Sequence, residues 1–573
     1  MTGSPDQPPP TDATAESGGG TSLSQSSPAG LVRSPEASGK GYQPATAAGL
    51  VLCGVALWCL LGNLVDPHYG NSRYSTWWAL AATAAVLALM AGLYLGLRKA
   101  AQFLVRHRVL AGLGAAAVWV LLFALQVRLA YAVRLPADWD AYAVYSSAAG
   151  LAQGTQTEID PGYFSLNTNN ILITLLLSAY FRLAVFLGVA DLEMAAAVLN
   201  AVVLFTGIAL TYAAARILGG RTLAAFTLLP STVFVLLSPW LGVVYSDTVG
   251  LVFPVLILFL LLAAGRARSL AVRIPLWVLA GGAGAVGYGI KPTVLICLVA
   301  AALTAACSPA LRRRRPGAMA VVLGFAVVAG SFFAGHRLIT VFEQQTPVIS
   351  FNVEDNPAAM PPTHFLKVGA QSFAGPHGLY YGCYNEADYL GTVTVADPEE
   401  KFRQGLDAYQ ERVAAMGPGG YLSFLNHKLL WVTGDGSFFS WGEGRLTGNN
   451  FVSADPGDRV IQDFFGNNRP GFPWLLSLWQ GTWFLVLALV AVPLVLRSPN
   501  LMRPEVTALR IALLGLLLFL LLSEGRARFL YLYVPYFILL ASLSFQTIMD
   551  KLLPARDGGG EATGGLGDTK VPQ

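Results

Sequence analysis

Apolar stretches of about twenty residues, bounded by charge, glycine or proline, recur along the chain from Thr46 to Phe545. Roughly 20 helical residues cross about 30 Å of hydrocarbon. The pattern therefore predicts transmembrane helices at 46–65, 77–97, 109–133, 192–215, 222–241, 248–264, 273–289, 292–308, 317–335, 472–496, 506–523 and 528–548. One further apolar segment, 169–188, would make thirteen. Basic residues favour the cytoplasmic side of a membrane. The clusters Arg98/Lys99/Arg106/Arg108, Arg266/Arg268/Arg273, Arg312 to Arg315 and Arg497/Arg503 share that side only if 169–188 does not cross. The expectation is twelve spans, with 169–188 flat or re-entrant on the outer face and Arg128 and Arg134 as exceptions to the charge bias.

On this topology the outer face receives 135–168, the turn Tyr245-Ser246-Asp247, the turn Gly289-Ile290-Lys291-Pro292, the long loop 336–471 and the turn 524–528. The predicted organisation is a disordered cytoplasmic tail over 1–43, an N-terminal transmembrane module over 44–335 and an extracytoplasmic loop domain over 336–471. C-terminal transmembrane helices over 472–549 and a second disordered tail over 550–573 complete it. The first module carries an outer loop at 134–190. Within the long loop, 398–416 reads as an amphipathic helix that Asp397 caps and Pro398 opens.

Composition agrees with the pattern. The chain has 573 residues, 54% hydrophobic and 12% charged, whereas soluble domains carry about 25% charged residues. The net charge of +4 reads as topology signal, with no nucleic-acid partner expected. Of five cysteines, Cys53, Cys59, Cys297 and Cys307 lie in apolar runs and Cys383 stands in the long loop, so no disulfide is predicted. Met1 to Tyr42 is rich in Pro, Ser and Gly and lacks the apolar core of a cleavable signal. Abundant alanine, with arginine outnumbering lysine, suggests a GC-rich bacterial genome.

The candidate chemistry falls on the outer turns. Asp138 and Asp140 follow the third span. Each suits a helix start, and each suits a general base for an acceptor hydroxyl. Asp247 lies between two apolar runs and reads either as a cap or as a second carboxylate beside them. Such a set is compatible with a divalent cation. Lys291, Arg526 and Arg528 stand at outer boundaries, against the charge bias, where a phosphate would suit them. Tyr142, Asn169, Asn170, His364 and Asn385 are candidate substrate contacts. No CxxC, HExxH or Walker motif occurs, and the GxGxxG at Gly282 to Gly287 lies inside a span, where close helix packing explains it.

These residues resemble the GT-C superfamily of multi-spanning glycosyltransferases that use polyprenyl-phosphate sugars, among them protein mannosyltransferases and the catalytic subunit of oligosaccharyltransferase. The likeness rests on an acid early in the first outer loop, here Asp138 or Asp140, on two helices after it at 140–152 and 169–188, and on a later acid, Asp247. The strings Thr168-Asn169-Asn170-Ile171, Tyr245-Ser246-Asp247, Ile290-Lys291-Pro292-Thr293 and Gly382-Cys383-Tyr384-Asn385 resemble a bacterial branch of it. The Trp-Trp-Asp motif of oligosaccharyltransferase is absent.

The resemblance implies an all-α, GT-C-like polytopic enzyme of the cell membrane. Its donor would be a polyprenyl-phosphate-linked sugar, and its acceptor an envelope glycan, lipid or protein on the extracytoplasmic side. Asp140 or Asp138 would be the base, with Lys291, Arg526 or Arg528 on the leaving phosphate and inversion at the anomeric carbon. The rival readings are a transporter or flippase of a lipid-linked precursor, for which Pro230 and Pro254 interrupt spans, and an acyltransferase using His364.

Overall fold

The computed structural model describes residues 43–67, 74–308, 311, 317–375, 378–445 and 450–553. Both predicted tails, as far as residue 42 and from residue 554, and the Arg312 to Arg315 cluster lie outside the described residues. Fourteen helices carry the architecture: α1 Gln43–Val65, α2 Thr76–Arg106, α3 Arg108–Ala132, α4 Trp139–Gln153, α5 Ile171–Phe186, α6 Leu192–Ser231 and α7 Val252–Arg266 come first. They are followed by α8 Leu270–Ile290, α9 Leu295–Ala306, α10 Ala318–Gln345, α11 Pro398–Thr433, α12 Phe472–Ala491, α13 Pro504–Leu522 and α14 Val534–Leu552.

Among the described residues, eleven helices are long and apolar enough to cross a membrane, and Pro292–Ala306 is a shorter apolar one. The predicted spans 192–215 and 222–241 fall in one continuous stretch. It breaks at Gly220, whose φ of 82° and ψ of −168° are open to glycine and costly for a side chain. α12 and α14 are apolar all round and almost wholly buried, as central helices must be, whereas α3 and α10 expose most of their apolar surface. α12 packs on α2, α1 and α14, α8 lies along α10, and α6 packs against α3, α7 and α14.

The stretch Thr168–Phe186 is by itself long and apolar enough to cross. Its neighbours say otherwise. At its start Asn170 meets Tyr163 and Tyr245. Just past its end Asp191 pairs with Arg134 at 3.5 Å, next to the end of α3. Asn200, early in α6, donates to the carbonyls of Trp240, Leu241 and Val243, which lead directly to Tyr245. Tyr180, in the middle of α5, bonds Ala195 O at 3.0 Å. A 16-residue helix is about 24 Å long, and a crossing would carry its far end that distance away. α5 therefore lies along one end of the bundle, packed on α4.

The described basic segments gather at the opposite end. Arg266 donates to Ile217 O beside the Gly220 break at 2.7 Å, and Arg98 donates to Leu553 O after the last helix. Residues between α10 and α12 build a separate layer over the other end. It holds helices Pro362–Gly369 and Glu386–Val393, a hairpin pairing Ser372–Gly375 with Gly378–Tyr381, then α11 and Pro456–Phe465. Asp397 caps α11 by accepting the Glu400 N–H at 2.9 Å, and Pro398 opens it. The helix runs on to Thr433 through a break at Gly417 (φ 62°), longer than the sequence pattern suggests. α10 likewise continues past the expected boundary at 335 to Gln345.

Candidate active site at one end of the bundle

Four chain segments meet at the end of the bundle that α4 and α5 cover. The first is the start of α4. Asp138 caps it, accepting its neighbour's N–H at Trp139 (3.1 Å), and also pairs with Arg445 at 3.4 Å. Asp140, in the first turn, accepts the Tyr163 hydroxyl at 2.7 Å. That hydroxyl accepts in turn from Asn170 Nδ2 at 2.7 Å, while Asn170 Oδ1 faces Asn169 Nδ2 at 3.2 Å and the Tyr245 hydroxyl at 3.5 Å. Burial, with Tyr245 and Asp140 nearby, pushes the Tyr163 phenol well above its ordinary value. It therefore stays a donor, and among the described residues no lysine or arginine pairs with Asp140.

The second segment is Tyr245-Ser246-Asp247, turned tightly because the Tyr245 N–H bonds Thr248 Oγ1 at 3.0 Å and a short helix, Ser246–Gly250, starts there. The third is Lys291. Pro292 disfavours a helical residue before it, and Lys291 is extended at the end of α8 (φ −148°, ψ 108°). Its ammonium stands 3.0 Å from Asp247 Oδ1 and 3.4 Å from Ser246 Oγ, facing the Phe529 ring at 4.9 Å and the Tyr245 ring at 5.6 Å. Burial lowers the Lys291 ammonium from its usual range against the pull of Asp247.

The fourth segment is Glu524-Gly525-Arg526-Ala527-Arg528. Arg528 faces Phe529 at 5.1 Å and pairs with the buried Glu443, while Arg526 lies over the Phe439 ring at 5.0 Å. Burial raises the Glu524 carboxyl, opposed first by Arg526. Lys428, fully buried, anchors this turn by donating to Gly369 O at 2.8 Å, Leu521 O at 3.0 Å and Ser523 O at 2.5 Å. Burial pushes its ammonium down to about 7.

Asp140, Asp247, Lys291, Arg528, Asn169 and Asn170, all singled out by sequence, thus fall in one neighbourhood, with Arg526 beside it. Asp138 sits at its rim as a cap, and Tyr142 points outward, 54% exposed. His364 stands elsewhere, and Asn385, which follows a stretch bonded to the fourth segment through Gly525 N–H to Gly382 O at 2.8 Å, has its side chain engaged by Asp388. His364 Nδ1 meets Thr392 Oγ1 at 2.8 Å, and burial with Lys367 nearby pushes its imidazole down to about 4. Asn385 caps Glu386–Val393 through the Asp388 N–H at 2.8 Å.

Sequence reasoning missed Tyr163 and Glu443. Tyr163 lies in the same loop as Asp140 but in no motif, and Glu443 reaches the site from 302 positions beyond Ala141. Among the described residues no three His, Cys, Asp or Glu side chains gather to hold a metal ion, so the carboxylates as they stand do not fit a cation cage. The five cysteines are unpaired.

No curated protein matches the chain. Two crystal structures of ArnT from Cupriavidus metallidurans overlay it weakly. One is in the apo state (16% identity, TM-score 0.30) and one is bound to undecaprenyl phosphate (17%, TM-score 0.29), each covering 76% of this chain and 78% of theirs. At such scores the overlays carry no argument. The sequence itself matches a family model over residues 62–549, most of its length, and the chain belongs to that family, described as conserved hypothetical integral membrane protein.

Proposed function

We propose that this multi-pass membrane protein is a GT-C-type glycosyltransferase that moves a sugar from a polyprenyl-phosphate carrier to a hydroxyl of an envelope glycan, lipid or protein. One observation carries the reading. A carboxylate that pairs with no lysine or arginine among the described residues, Asp140, stands in the same polar neighbourhood as Lys291, Arg526 and Arg528. That is the division of labour such a transfer needs. The acceptor oxygen attacks the anomeric carbon, its proton passes to Asp140, and the bond from that carbon to the phosphate oxygen breaks with inversion. The cations hold the phosphate as it leaves.

The placement of basic segments at the opposite end favours an extracytoplasmic site. On that orientation 336–471 is an extracytoplasmic layer between the transmembrane blocks 44–335 and 472–549. Asp140 is the base in preference to Asp138, whose carboxylate is engaged by Trp139 N–H and Arg445.

The test is Asp140→Asn, which keeps size and removes the proton acceptor. Turnover with polyprenyl-phospho-sugar donors is expected to fall on the order of 10²-fold or more, with the fold and donor binding retained. Full activity in that variant removes the base. A parent protein that moves a lipid-linked precursor across vesicles without transferring the sugar replaces the reading by a transporter.

A further inference from the structure

The turn 435–445, between α11 and the helix Pro456–Phe465, has an unusual backbone. Phe438, Phe439 and Trp441 have φ of 56°, 65° and 61°, a region that residues with a bulky side chain adopt rarely and at a cost. Several bonds hold it there. Asp435 accepts the N–H groups of Ser437 and Phe439 at 2.8 Å each. Trp240 Nε1 donates to Phe438 O at 3.0 Å and Trp441 Nε1 to Phe465 O at 2.8 Å, while the Phe438 ring packs on Trp483 and Tyr531.

The turn delivers two side chains to the arginines. Phe439 places its ring against Arg526. Glu443, whose side chain is 1% exposed, pairs one carboxylate oxygen with Arg528 Nη1 and offers the other to the Ala141 N–H at 3.3 Å. The backbone of the same turn grips the start of α4. Glu443 O accepts the Asp138 N–H at 2.8 Å, and the Arg445 N–H bonds Pro136 O at 2.9 Å. Both arginines keep a buried Nε without a hydrogen-bond partner among the described residues.

We infer that Glu443 and Phe439 are positioning residues of a phosphate clamp, fixing the guanidinium groups of Arg528 and Arg526 so that each keeps its Nε–H uncommitted for the donor phosphate. Glu443 also sets the first turn of α4, and with it Asp140, in register with that clamp. The inference rests on the glycosyltransferase reading. It goes beyond it by assigning the strained turn a task. A carboxylate present only to neutralise Arg528 would need neither the strained backbone nor the second contact to Ala141. Arginine is suited to the role because its fork can be held at one nitrogen while another binds an oxyanion, and an aromatic face can fix a second guanidinium.

The experiment compares binding of a long-chain polyprenyl monophosphate to the full chain in detergent for the parent, Glu443→Gln and Phe439→Leu, alongside KM for a polyprenyl-phospho-sugar and thermal melting. Expected are at least tenfold weaker binding for Glu443→Gln and several-fold weaker binding for Phe439→Leu, with KM rising more than kcat falls. If Glu443→Gln does not fold, Phe439→Leu decides alone. Unchanged or tighter binding overturns the clamp, whether or not melting falls, because a merely structural turn would lower melting and leave affinity alone. A parent that does not bind the probe overturns the glycosyltransferase reading itself, an outcome distinct from a failure of the variants.

Discussion

In the layer outside the bundle, Asp388 has both oxygens bonded. Arg412 reaches one at 2.7 Å and the other at 2.9 Å, and Asn385 Nδ2 adds a contact at 2.8 Å. Lys367 beside it donates to Asp388 O at 3.1 Å and Thr392 Oγ1 at 2.8 Å. Burial, the largest influence on the Asp388 carboxyl, pushes it up, yet Arg412 and Asn385 outweigh burial and hold it below the usual range.

Around Lys291 the charges are as deeply buried, and the bonding is incomplete. Asp247 Oδ1 lies 3.0 Å from the ammonium without hydrogen-bond alignment. Both Asp247 oxygens and the Nε atoms of Arg526 and Arg528 lack hydrogen-bond partners among the described residues. Unmade bonds at buried polar atoms cost free energy. A cluster that only stabilises the fold is expected to close them, and one that receives a ligand is expected to leave them open. Between these two clusters the difference lies in completed bonding and not in residue type.

The largest effect expected from breaking the contrast lies on the scaffold side. Arg412→Met leaves the Asp388 carboxylate without its main partner, and removing one member of a buried pair costs roughly 3–5 kcal/mol. Thermal melting in detergent should fall accordingly, while turnover per folded molecule and donor affinity stay near the parent's. A variant that melts like the parent but loses donor affinity would move this cluster into the site.

His364 sharpens the same point through pH. Its imidazole lies at about 4 in the fold against an ordinary 6.5. Between those values the unfolded chain binds the extra proton, so stability falls as pH drops through the window from about 6.5 to 4. The total is on the order of 3 kcal/mol, and it is fully present only above 6.5. His364→Phe should flatten that part of a melting-versus-pH curve. A parent curve with no slope there would remove His364 from the buried cluster.

On the site side, Lys291→Ala should weaken binding of a polyprenyl monophosphate about tenfold, roughly 1.4 kcal/mol. Melting should fall as well, because the fully buried Asp247 loses its ion-pair partner, so affinity is compared on the folded fraction. Equal affinity in parent and variant would leave Lys291 as a structural counter-ion of Asp247.

How much of this was legible in the sequence follows from how local each signal is. Spans are local, since twenty apolar residues need lipid or a buried core wherever they stand, and the predicted runs fall in helices, although 192–215 and 222–241 share one stretch and 292–308 holds a shorter one. Lys291, Arg526 and Arg528 were legible because cations at span ends expected to face outward break a bias that the four main basic clusters are expected to obey. His364 and Asn385 looked like substrate ligands because polarity in a loop does not reveal whether its partners come from the protein. Here Thr392, Lys367 and Asp388 supply them. Tyr163 and Glu443 escaped because Glu443 lies 302 positions from the Ala141 amide it faces. Nothing in its neighbours Gly442 and Gly444 announces that meeting.

The smallest effect expected is also the one that divides two residues that sequence left undivided. Asp138 and Asp140 stand two positions apart at the start of one helix, yet their surroundings differ. Asp138 faces a backbone N–H and an arginine half exposed to solvent, whereas Asp140 bonds, among the described residues, a phenol that is itself braced by Asn170. Asparagine caps helices about as well as aspartate, and an exposed ion pair contributes about 0–1 kcal/mol. Asp138→Asn should therefore cost a few tenths of a kcal/mol in stability and leave turnover within about twofold of the parent. Paired with Asp140→Asn, measured in the same detergent with the same donor, it gives an asymmetry that a shared capping role cannot produce. A hundredfold loss in Asp138→Asn with Asp140→Asn fully active would reverse the assignment. The first residue of the helix, the exposed Trp139 at φ 47°, would then be the place to look for a movement that brings Asp138 inward.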